Sequence, residues 1–371
     1  MKIIQLVTQM EAGGAQRVAY LLKNELYLRG YDSSLWFLYT KRPAYAHESR
    51  VHSLLGHSPS LFDYFKILIR LARLIHKERP DVLITHTHYA NVMGQVVSTV
   101  LRVRNRIAVQ HNPTHTYPRF VRTADRFAGS VGVYSRNVAV SKTVQASIAR
   151  YPQTYRNRVT TVFNGVPEPG LTTPRQLTRE LWRIPLEATL LANVGRCSLQ
   201  KNQEFLIGLL AMDTTLHLLL VGDGELRASL RETAVRLRAI DRVHFTGEVS
   251  PDEVSALVSA SDIFVLPSHY EAVSMVMLEA MLLGIPVISN DIPSAREFLG
   301  EDGVLVNTAY PERWLSAIRT LLDHPNVTSE MVARAKAKAQ RFTVPKMADA
   351  YEELFMPVIS PDLVGSIDGI L

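Results

Sequence analysis

Residues 266–280 read Leu-Pro-Ser-His-Tyr-Glu-Ala-Val-Ser-Met-Val-Met-Leu-Glu-Ala and join a short apolar run to a helix through a polar loop. Pro267 marks the end of a predicted strand, Ser274 suits the N-cap of the following helix, and Gly284 ends that helix. A strand followed by a helix is the repeating unit of a parallel α/β sheet, because two parallel strands need a long crossover between them.

The same alternation of short apolar runs and amphipathic stretches recurs along the whole chain. In the first half it predicts strands near Ile3–Thr8, Ser34–Tyr39, Val82–Thr85, Ile107–Gln110, Val138–Val140 and Thr160–Phe163. In the second half it predicts strands near Leu190–Val194, Leu216–Val221, Val243–Thr246, Ile263–Leu266, Val287–Ser289 and Gly303–Val306. Each half therefore has enough strand–helix units for its own doubly wound sheet.

The length of 371 residues suits two domains, and a segment rich in proline and glycine separates them. This segment, Asn164–Pro174, holds three Pro and two Gly and is the predicted hinge. We predict a first domain over residues 1–165 and a second over residues 166–344. Near the end of the chain we predict a helix over Met347–Phe355 and a loosely held tail over the last ten residues.

The composition excludes several classes of protein. With 47% hydrophobic and 20% charged residues, the chain has enough apolar material for two cores and too little charge to be disordered. Its one cysteine, Cys197, predicts a reducing compartment, so we expect a cytoplasmic location. We expect neither a spanning helix nor a secretory signal, because no apolar run reaches roughly twenty residues and the one at the N-terminus is short.

Positive charge is concentrated in the first half. Residues 1–165 hold 23 Lys and Arg against 8 Asp and Glu, whereas residues 166–371 hold 18 against 27. We therefore expect an anionic partner for the first half. No nucleic-acid-binding motif accompanies the basic residues, so a membrane surface or a phosphate-bearing acceptor is the better prediction.

A predicted helix over Leu61–Lys77 belongs to this basic half and is amphipathic. Its residues divide into an apolar stripe, Phe62, Phe65, Leu68 or Ile69, and Ala72, and a basic stripe, Lys66, Arg70, Arg73 and Lys77. Two interpretations stay open: a core helix with a solvated basic face, or a helix that contacts a membrane surface.

Two pairs of glycines follow predicted strands. Gly13 and Gly14 open the helix after the first strand, where unpaired N–H groups can bind a phosphate. Gly222 and Gly224 follow a later strand, but Arg227 takes the place of the third glycine of a dinucleotide fingerprint. A Rossmann dehydrogenase is therefore poorly supported. A nucleotide packed against these glycines and an ordinary tight turn both remain open.

Charged residues mark two loops of the second half. Arg196 and Lys201 follow a predicted strand. Two cations there could bind a diphosphate, or they could be ordinary solvated surface residues. Glu271 precedes the helix that begins after Ser274, and Glu279 lies in its second turn. A diphosphate on the free N–H groups between them would leave one carboxylate for a sugar and one for a ribose. Two ordinary surface glutamates would show the same spacing.

Three histidines raise the question of a metal site. His86 and His88 stand at a strand end, where alternation predicts that both point to one side, and His111 follows the strand Ile107–Gln110. No acidic or thiolate cluster joins them and the sequence has no Asp-x-Asp motif, so we expect no metal. We interpret them as cleft histidines, with His111 the one that contacts substrate.

Together these motifs resemble glycosyltransferase family four, the retaining GT-B glycosyltransferases with a Glu-x7-Glu signature. The motifs that stand in the family's order are Gly13–Arg17, Ala139–Ser141, Val162–Gly165, Gly195–Lys201, Gly222–Gly224, Arg242–Gly247, and Ala260–Asp262 through Pro286–Ser289. One departure is Ala272, which stands where the family usually has glycine.

The resemblance implies a fold and a set of site residues. The implied fold is GT-B, with two Rossmann-like doubly wound α/β domains facing a cleft and the C-terminal segment 345–371 returning to the first domain. The implied catalytic residues are Glu271, on the donor sugar, and His111, near the sugar and the acceptor. The implied donor-binding residues are Gly13, Gly14, Arg196, Lys201, Gly222, Gly224, Val273, Ser274, Met275, Val276 and Glu279.

The resemblance also implies an activity. It is the transfer of a sugar, with retention, from a nucleotide diphosphate donor, UDP favoured, without a metal or other cofactor. We expect a glycan or lipid-linked acceptor in bacterial cell-surface polysaccharide or glycolipid synthesis, with peripheral contact to the inner face of the membrane. A nucleotide-sugar epimerase or phosphorylase of the same fold, and a nucleotide-sugar binding module without turnover, are the alternatives.

Overall fold

The computed structural model describes residues 1–170 and 173–356, and the chain divides into two compact units. The first unit comprises Met1–Val140, Val144–Phe163 and the chain from Val344 onward. The second comprises Ser141–Thr143 and Asn164–Thr343. Two residues of the predicted hinge, and all of the predicted tail, lie outside the described residues.

The first unit is built on one parallel sheet. Its strands in residues 1–163 are β1 Lys2–Met10, β2 Asp32–Thr40, β3 Val51–Ser53, β4 Val82–His86, β5 Asn105–Gln110, β6 Arg136–Ala139 and β7 Val159–Thr161, in the order β3-β2-β1-β4-β5-β6-β7. The helices between them are α1 Gly14–Leu28, α2 Leu61–Glu78, α3 His88–Val100, α4 Arg119–Ser130, α5 Lys142–Ser147 and α6 Gln153–Arg156. The predicted strands are confirmed, and β3 is a short edge strand that the periodicity missed.

The second unit repeats this plan. Its strands are β8 Thr189–Val194, β9 Leu216–Val221, β10 Val243–Gly247, β11 Ile263–Leu266, β12 Val287–Ser289 and β13 Val304–Leu305, in the order β10-β9-β8-β11-β12-β13. Its helices are α7 Arg175–Leu181, α8 Gln203–Met212, α9 Arg227–Arg236, α10 Pro251–Ser259, α11 Met275–Leu283, α12 Pro293–Phe298, α13 Pro311–Asp323 and α14 Pro325–Ala339. The predicted strands of this half are confirmed as well.

Both sheets have one point at which the order of strands reverses. It lies between β1 and β4 in the first sheet and between β8 and β11 in the second. The loops that leave the carboxyl ends of the two strands diverge there, because their crossovers run to opposite sides, and they leave a crevice. The switch points therefore decide where each unit offers a binding site.

Helix α11, which follows β11, is held by apolar contacts on nearly every side. Six of its residues are at most 7% exposed, namely Met275, Met277, Leu278, Ala280, Met281 and Leu282. Helix α14 covers its outer side. Gly284 ends the helix with a φ of 77°, as predicted, in the left-handed region that glycine enters without a steric penalty.

Helix α2 packs on the sheet with a different face from the one predicted. Its core face is formed by Ile67, Leu71, Leu74 and Ile75, which are at most 7% exposed. Phe62 and Phe65 are instead 86% and 69% exposed, and lie with the basic residues on the solvent side. The predicted apolar stripe is therefore wrong as a core face. The helix carries more apolar residues than one core stripe uses, and a second set with 3.6-residue spacing occupies the core.

The last described helix, α15 Val344–Phe355, packs on α1 in the first unit. Arg29, at the end of α1, donates from Nη1 to Asp349 at 2.8 Å and to Glu352 at 2.6 Å, and from Nη2 to the carbonyl of Pro345 at 2.9 Å. One guanidinium therefore anchors the returning segment through several charge-assisted hydrogen bonds.

We predict that Arg29→Ala loosens α15 without unfolding the second unit. Loss of these hydrogen bonds is expected to cost about 1–3 kcal/mol of local stability. Hydrogen–deuterium exchange in residues 344–356 should accelerate accordingly. The control is Arg319→Ala, which removes a 64% exposed side chain that pairs with Asp213 and should change exchange little. Unchanged exchange in α15 of the Arg29→Ala variant would contradict the assignment.

Candidate functional site

The loops after β8 and β11 lie side by side at the switch point of the second sheet. The two strands pair in parallel, with Ile263 opposite Leu191 and Phe264 opposite Ala192, so both loops leave the same edge. The loops are also hydrogen-bonded to each other. Gln200 donates from Nε2 to the carbonyl of Tyr270 at 2.9 Å, and the N–H of His269 donates to the carbonyl of Gln200 at 2.9 Å.

This arrangement brings Lys201 and Glu271 into direct contact. Lys201 Nζ lies 2.6 Å from Glu271 Oε1, and the two side chains are 16% and 7% exposed. The stem of Lys201 passes over Gly195, where a Cβ would lie 3.1 Å from Lys201 Cε. A cation and a carboxylate predicted from separate motifs therefore form one partly buried pair, in which each charge depends on the other.

Arg196 lies at the more exposed side of the same loop. Its Nε donates to Glu225 at 2.9 Å, and both side chains are more than half exposed. Such a pair is screened by water and contributes little to stability, so an anionic ligand can replace Glu225 at low cost. No motif in the sequence singles out Glu225, because its pairing with Arg196 depends on the contact between two loops.

Gly222 and Gly224 lie so close to the backbone of the loop after β8 that neither position has room for a Cβ. A Cβ at Gly222, whose φ is 127°, would lie 2.3 Å from the carbonyl oxygen of Gly195, and one at Gly224 would lie 2.4 Å from that of Cys197. The backbone of Cys197 donates to the carbonyl of Asp223 at 2.9 Å. The loops after β8 and β9 therefore interlock, and this contact by itself explains both glycines. Their predicted contact with the donor remains a prediction.

The loop after β11 leads into the first turn of α11, whose N–H groups have no acceptors within the helix. Ser274 is the N-cap, as predicted, but its side chain does not cap the helix. The first N–H bonded within the helix is that of Leu278, to the carbonyl of Ser274 at 3.2 Å. The N–H groups of Met275 and Val276 precede it and have no acceptor within the helix. Ala272 does not have a positive φ, so the backbone accepts alanine at this position.

Two buried hydroxyls lie in the segment between β11 and α11. Ser268 is fully buried and Ser274 is 3% exposed, and neither Oγ has a hydrogen-bond partner within residues 1–170 and 173–356. Buried hydroxyls are nearly always paired, so these two are candidates for ligand contacts. Ser268 carries no signal in the sequence beyond its position after a strand. Glu279, half-buried, follows in the second turn of α11.

The segment Ala260–Asp262, between α10 and β11, has a structural role. Arg179, 1% exposed, donates to the carbonyl of Ala260 at 3.0 Å and to Asp262 Oδ2 at 2.9 Å. The same carboxylate accepts from the N–H of Leu190 at 2.8 Å. This network holds the start of β8, the strand that leads to the loop of Lys201.

In the first unit, Gly13 and Gly14 stand at the N-terminus of α1, after β1. Gly13 is the N-cap with extended backbone, and a Cβ at Gly14 would meet no atom within 4 Å. Neither glycine is required by φ or by packing against backbone. The open space at Gly14 fits the predicted approach of a ligand to the start of α1.

The histidines of the first unit pair differently from the prediction. His86 ends β4, but His88 already belongs to α3, so alternation along a strand does not apply to it. His88 instead lies against the rings of Tyr89 and Tyr117, whereas His86 Nδ1 lies 2.9 Å from His111 Nε2. Burial lowers the pKa of His111 to about 3 and that of His86 well below its usual range. Both rings are therefore neutral at pH 7.

Among the described residues, no group of three or more His, Cys, Asp or Glu side chains is placed to hold a metal ion.

Comparison with known families covers both units. Residues 174–341 match the family model "Glycosyl transferases group 1", and residues 12–168 match "Glycosyltransferase Family 4". Together the two models match most of the chain.

Individual proteins agree with these models. D-rhamnosyltransferase WbpZ of Pseudomonas aeruginosa is 27% identical over 299 residues, which cover 78% of this chain and 74% of that protein. Lipopolysaccharide core biosynthesis glycosyltransferase LpsE of Rhizobium meliloti is 29% identical over 173 residues, 46% of this chain and 50% of that protein. The crystal structure of Anabaena HepE in complex with UDP and glucose has the same fold, with a TM-score of 0.82 at 22% identity over 95% of this chain and 98% of that chain.

These matches, with the two doubly wound units, define a glycosyltransferase of the GT-B fold. Within that class the chain belongs to the family-four type, as its Glu-x7-Glu motif predicted. The predicted fold class and family are confirmed.

The interlocked loops give a prediction. Gly224→Ala should displace the loop that carries Arg196, because the new Cβ would meet the backbone of Cys197 at 2.4 Å. We expect nucleotide affinity to fall at least about tenfold, measured by calorimetry. The matched control is Gly208→Ala in α8, where a Cβ meets no atom within 4 Å and the helix should gain stability. Equal affinity in the two variants would argue against the interlock.

Proposed function

We propose that this glycosyltransferase transfers a sugar, with retention at the anomeric carbon, from a nucleotide diphosphate donor held by the second unit. The observation that carries the proposal is the contact between Lys201 and Glu271 at the switch point. A diphosphate needs cations and unpaired N–H donors, and a donor sugar needs a carboxylate beside its hydroxyl groups. Lys201 on the loop after β8, and Glu271 and the first turn of α11 after β11, offer these groups at one edge of the second sheet.

The charges suggest how donor binding prepares the site. Lys201 neutralises a carboxylate that is only 7% exposed. A diphosphate brings more negative charge than Glu271 and competes for the ammonium group, so donor binding draws Lys201 toward the phosphates. Glu271 is then released to accept hydrogen bonds from the sugar. Arg196 can exchange Glu225 for the same diphosphate.

In the chemical step, the protein mainly positions the two substrates and stabilises the charge that develops on the leaving diphosphate. The bond between the anomeric carbon and the diphosphate oxygen breaks, and its electron pair stays on that oxygen. The acceptor oxygen bonds to the same face of the carbon, and its proton passes to the leaving diphosphate. Lys201, Arg196 and the amides of Val273–Val276 stabilise the charge that develops there. The proposal requires no metal ion.

UDP is the favoured nucleotide. Support comes from the structural neighbour HepE, which was solved with UDP and with UDP-glucose. The acceptor is proposed to be a glycan or a lipid-linked glycan of a bacterial cell-surface polysaccharide or glycolipid. The relative that supports this proposal is LpsE, which is named for lipopolysaccharide core biosynthesis.

We predict that Glu271→Gln lowers sugar transfer at least about a hundredfold while UDP still binds, because the carboxylate acts on the sugar. Lys201→Ala should instead weaken UDP binding about 10- to 100-fold.

Nucleotide diphosphates and their sugars are screened by thermal shift, where a ligand at about 100 times its Kd stabilises the protein by about 2.7 kcal/mol. Transfer is measured in excess EDTA, with the anomeric configuration of the product read by NMR.

The matched control for these variants is Glu330→Gln, an exposed glutamate of α14. It should match the parent protein in both assays. A product of inverted configuration, activity lost in EDTA and restored by Mg²⁺, or full transfer by Glu271→Gln would each contradict the proposal.

The first unit offers a surface for an anionic membrane. On α2, Phe62 and Phe65 are 86% and 69% exposed beside exposed basic residues. Helix α3 contacts both α2 and α4, and α4 exposes Phe120 and Phe127 by 82% and 68%. Exposed aromatic rings next to Lys and Arg are typical of helices that lie in a membrane interface. No described helix is both long and apolar enough to cross a membrane.

We predict that the protein floats with vesicles of phosphatidylcholine and phosphatidylglycerol at low salt and not with phosphatidylcholine alone. The double variant Phe62→Ser/Phe65→Ser should lose most of this binding and keep UDP affinity. The control Val235→Ser/Val327→Ser alters apolar residues of the second unit that are 58% and 67% exposed, and should float normally. Absence of flotation at low salt, or unchanged binding by the aromatic variant, would refute the membrane surface.

A further inference from the structure

Three polar side chains form a buried chain across the switch point of the first sheet. Gln5 lies on β1, His86 ends β4 and His111 follows β5, on adjacent parallel strands. Gln5 and His86 are 0% exposed and His111 is 6% exposed. His86 contacts both neighbours, with Nε2 2.9 Å from the amide end of Gln5 and Nδ1 2.9 Å from His111 Nε2.

The backbone around Gln5 determines the direction of this chain. One end of the Gln5 amide lies 3.2 Å from the carbonyl of Ala19 and 2.9 Å from His86 Nε2, and its other end lies 2.9 Å from the N–H of Lys23. A carbonyl only accepts and an N–H only donates, so the nitrogen end of the amide faces His86. His86 Nε2 therefore accepts, and the single proton of this neutral ring resides on Nδ1. That N–H donates to His111 Nε2, which leaves the proton of His111 on Nδ1.

We propose that Gln5 and His86 are positioning residues that hold His111 as a fixed hydrogen-bond donor at Nδ1. Within the described residues, the structure gives His111 Nδ1 no hydrogen-bond partner, so this N–H is left for a ligand hydroxyl. The lone pair of His111 Nε2 is occupied by His86, and the ring therefore cannot accept the acceptor's proton. The inference rests on the proposed function, and it leaves the leaving diphosphate as the proton acceptor.

The backbone beside the chain supports a role beyond packing. Thr87, directly after His86, has φ 72° and ψ 151°, a conformation that is costly for a β-branched residue. Its hydroxyl lies 2.5 Å from that of Thr8 on β1, which also accepts from the N–H of Ala90 at 3.1 Å. Strain of this kind persists where the surroundings impose it and is concentrated at functional sites. The contacts of Thr87 with Thr8 hold the backbone at the end of β4, next to His86.

NMR can determine directly which ring nitrogen of His111 carries the proton. Long-range proton–nitrogen NMR correlations of labelled histidine rings in the full-length protein should show His111 protonated on Nδ1 between pH 6 and 8, since burial keeps the ring neutral there. A His111 protonated on Nε2 would overturn the proposal. Because this measurement needs no substrate, it stands apart from the proposed function, which fails if the parent protein shows no sugar transfer.

Variants of His86 distinguish a role in positioning His111 from a role in packing alone. His86→Leu should lower kcat about tenfold or more with an unchanged KM for the donor, and its His111 signals should show a mixed tautomer. His86→Asn keeps an N–H donor near the position of Nδ1 and should recover part of kcat. The control is His244→Gln, since His244 Nε2 also lies 3.2 Å from another histidine, His217, but in the second unit. If His86→Leu retains full kcat, or if His86→Asn and His86→Leu lose it equally, the positioning role is wrong.

Discussion

The site depends on one partly buried pair of opposite charges, Lys201 and Glu271, at the switch point of the second sheet. An isolated carboxylate at 7% exposure would be expensive, and the lysine beside it makes its burial tolerable. In the proposed function, a bound diphosphate competes with Glu271 for the ammonium group of Lys201.

The surrounding structure holds this pair in place. Strands β8 and β11 deliver the two loops to one edge, and the interlock between the loops after β8 and β9 fixes the backbone from which Lys201 rises. Arg179 and Asp262 secure the beginning of β8. Rigid supports of this kind reduce the reorganisation needed when the reaction occurs. The first unit follows the same logic with hydrogen bonds, since Gln5 orients His86 and His86 orients His111.

The sequence was informative where one physical signal dominates. Buried parallel strands are short continuous apolar runs, and the bounds of β11 and α11 follow from Pro267, Ser274 and Gly284. The sequence was less informative about hydrogen-bond partners, because a pattern of burial does not determine which polar side chains contact each other. The contact of His86 with His111 crosses from β4 to β5, and no spacing along the chain reveals it. The core face of α2 was misjudged because that helix has apolar residues on two sides.

The most direct test of the account is a crystal structure of the full-length protein with a bound nucleotide diphosphate. The account predicts the diphosphate at the start of α11, with Lys201 Nζ moved from Glu271 to within about 3 Å of a phosphate oxygen. A diphosphate bound elsewhere, with the 2.6 Å contact between Lys201 and Glu271 intact, would contradict it.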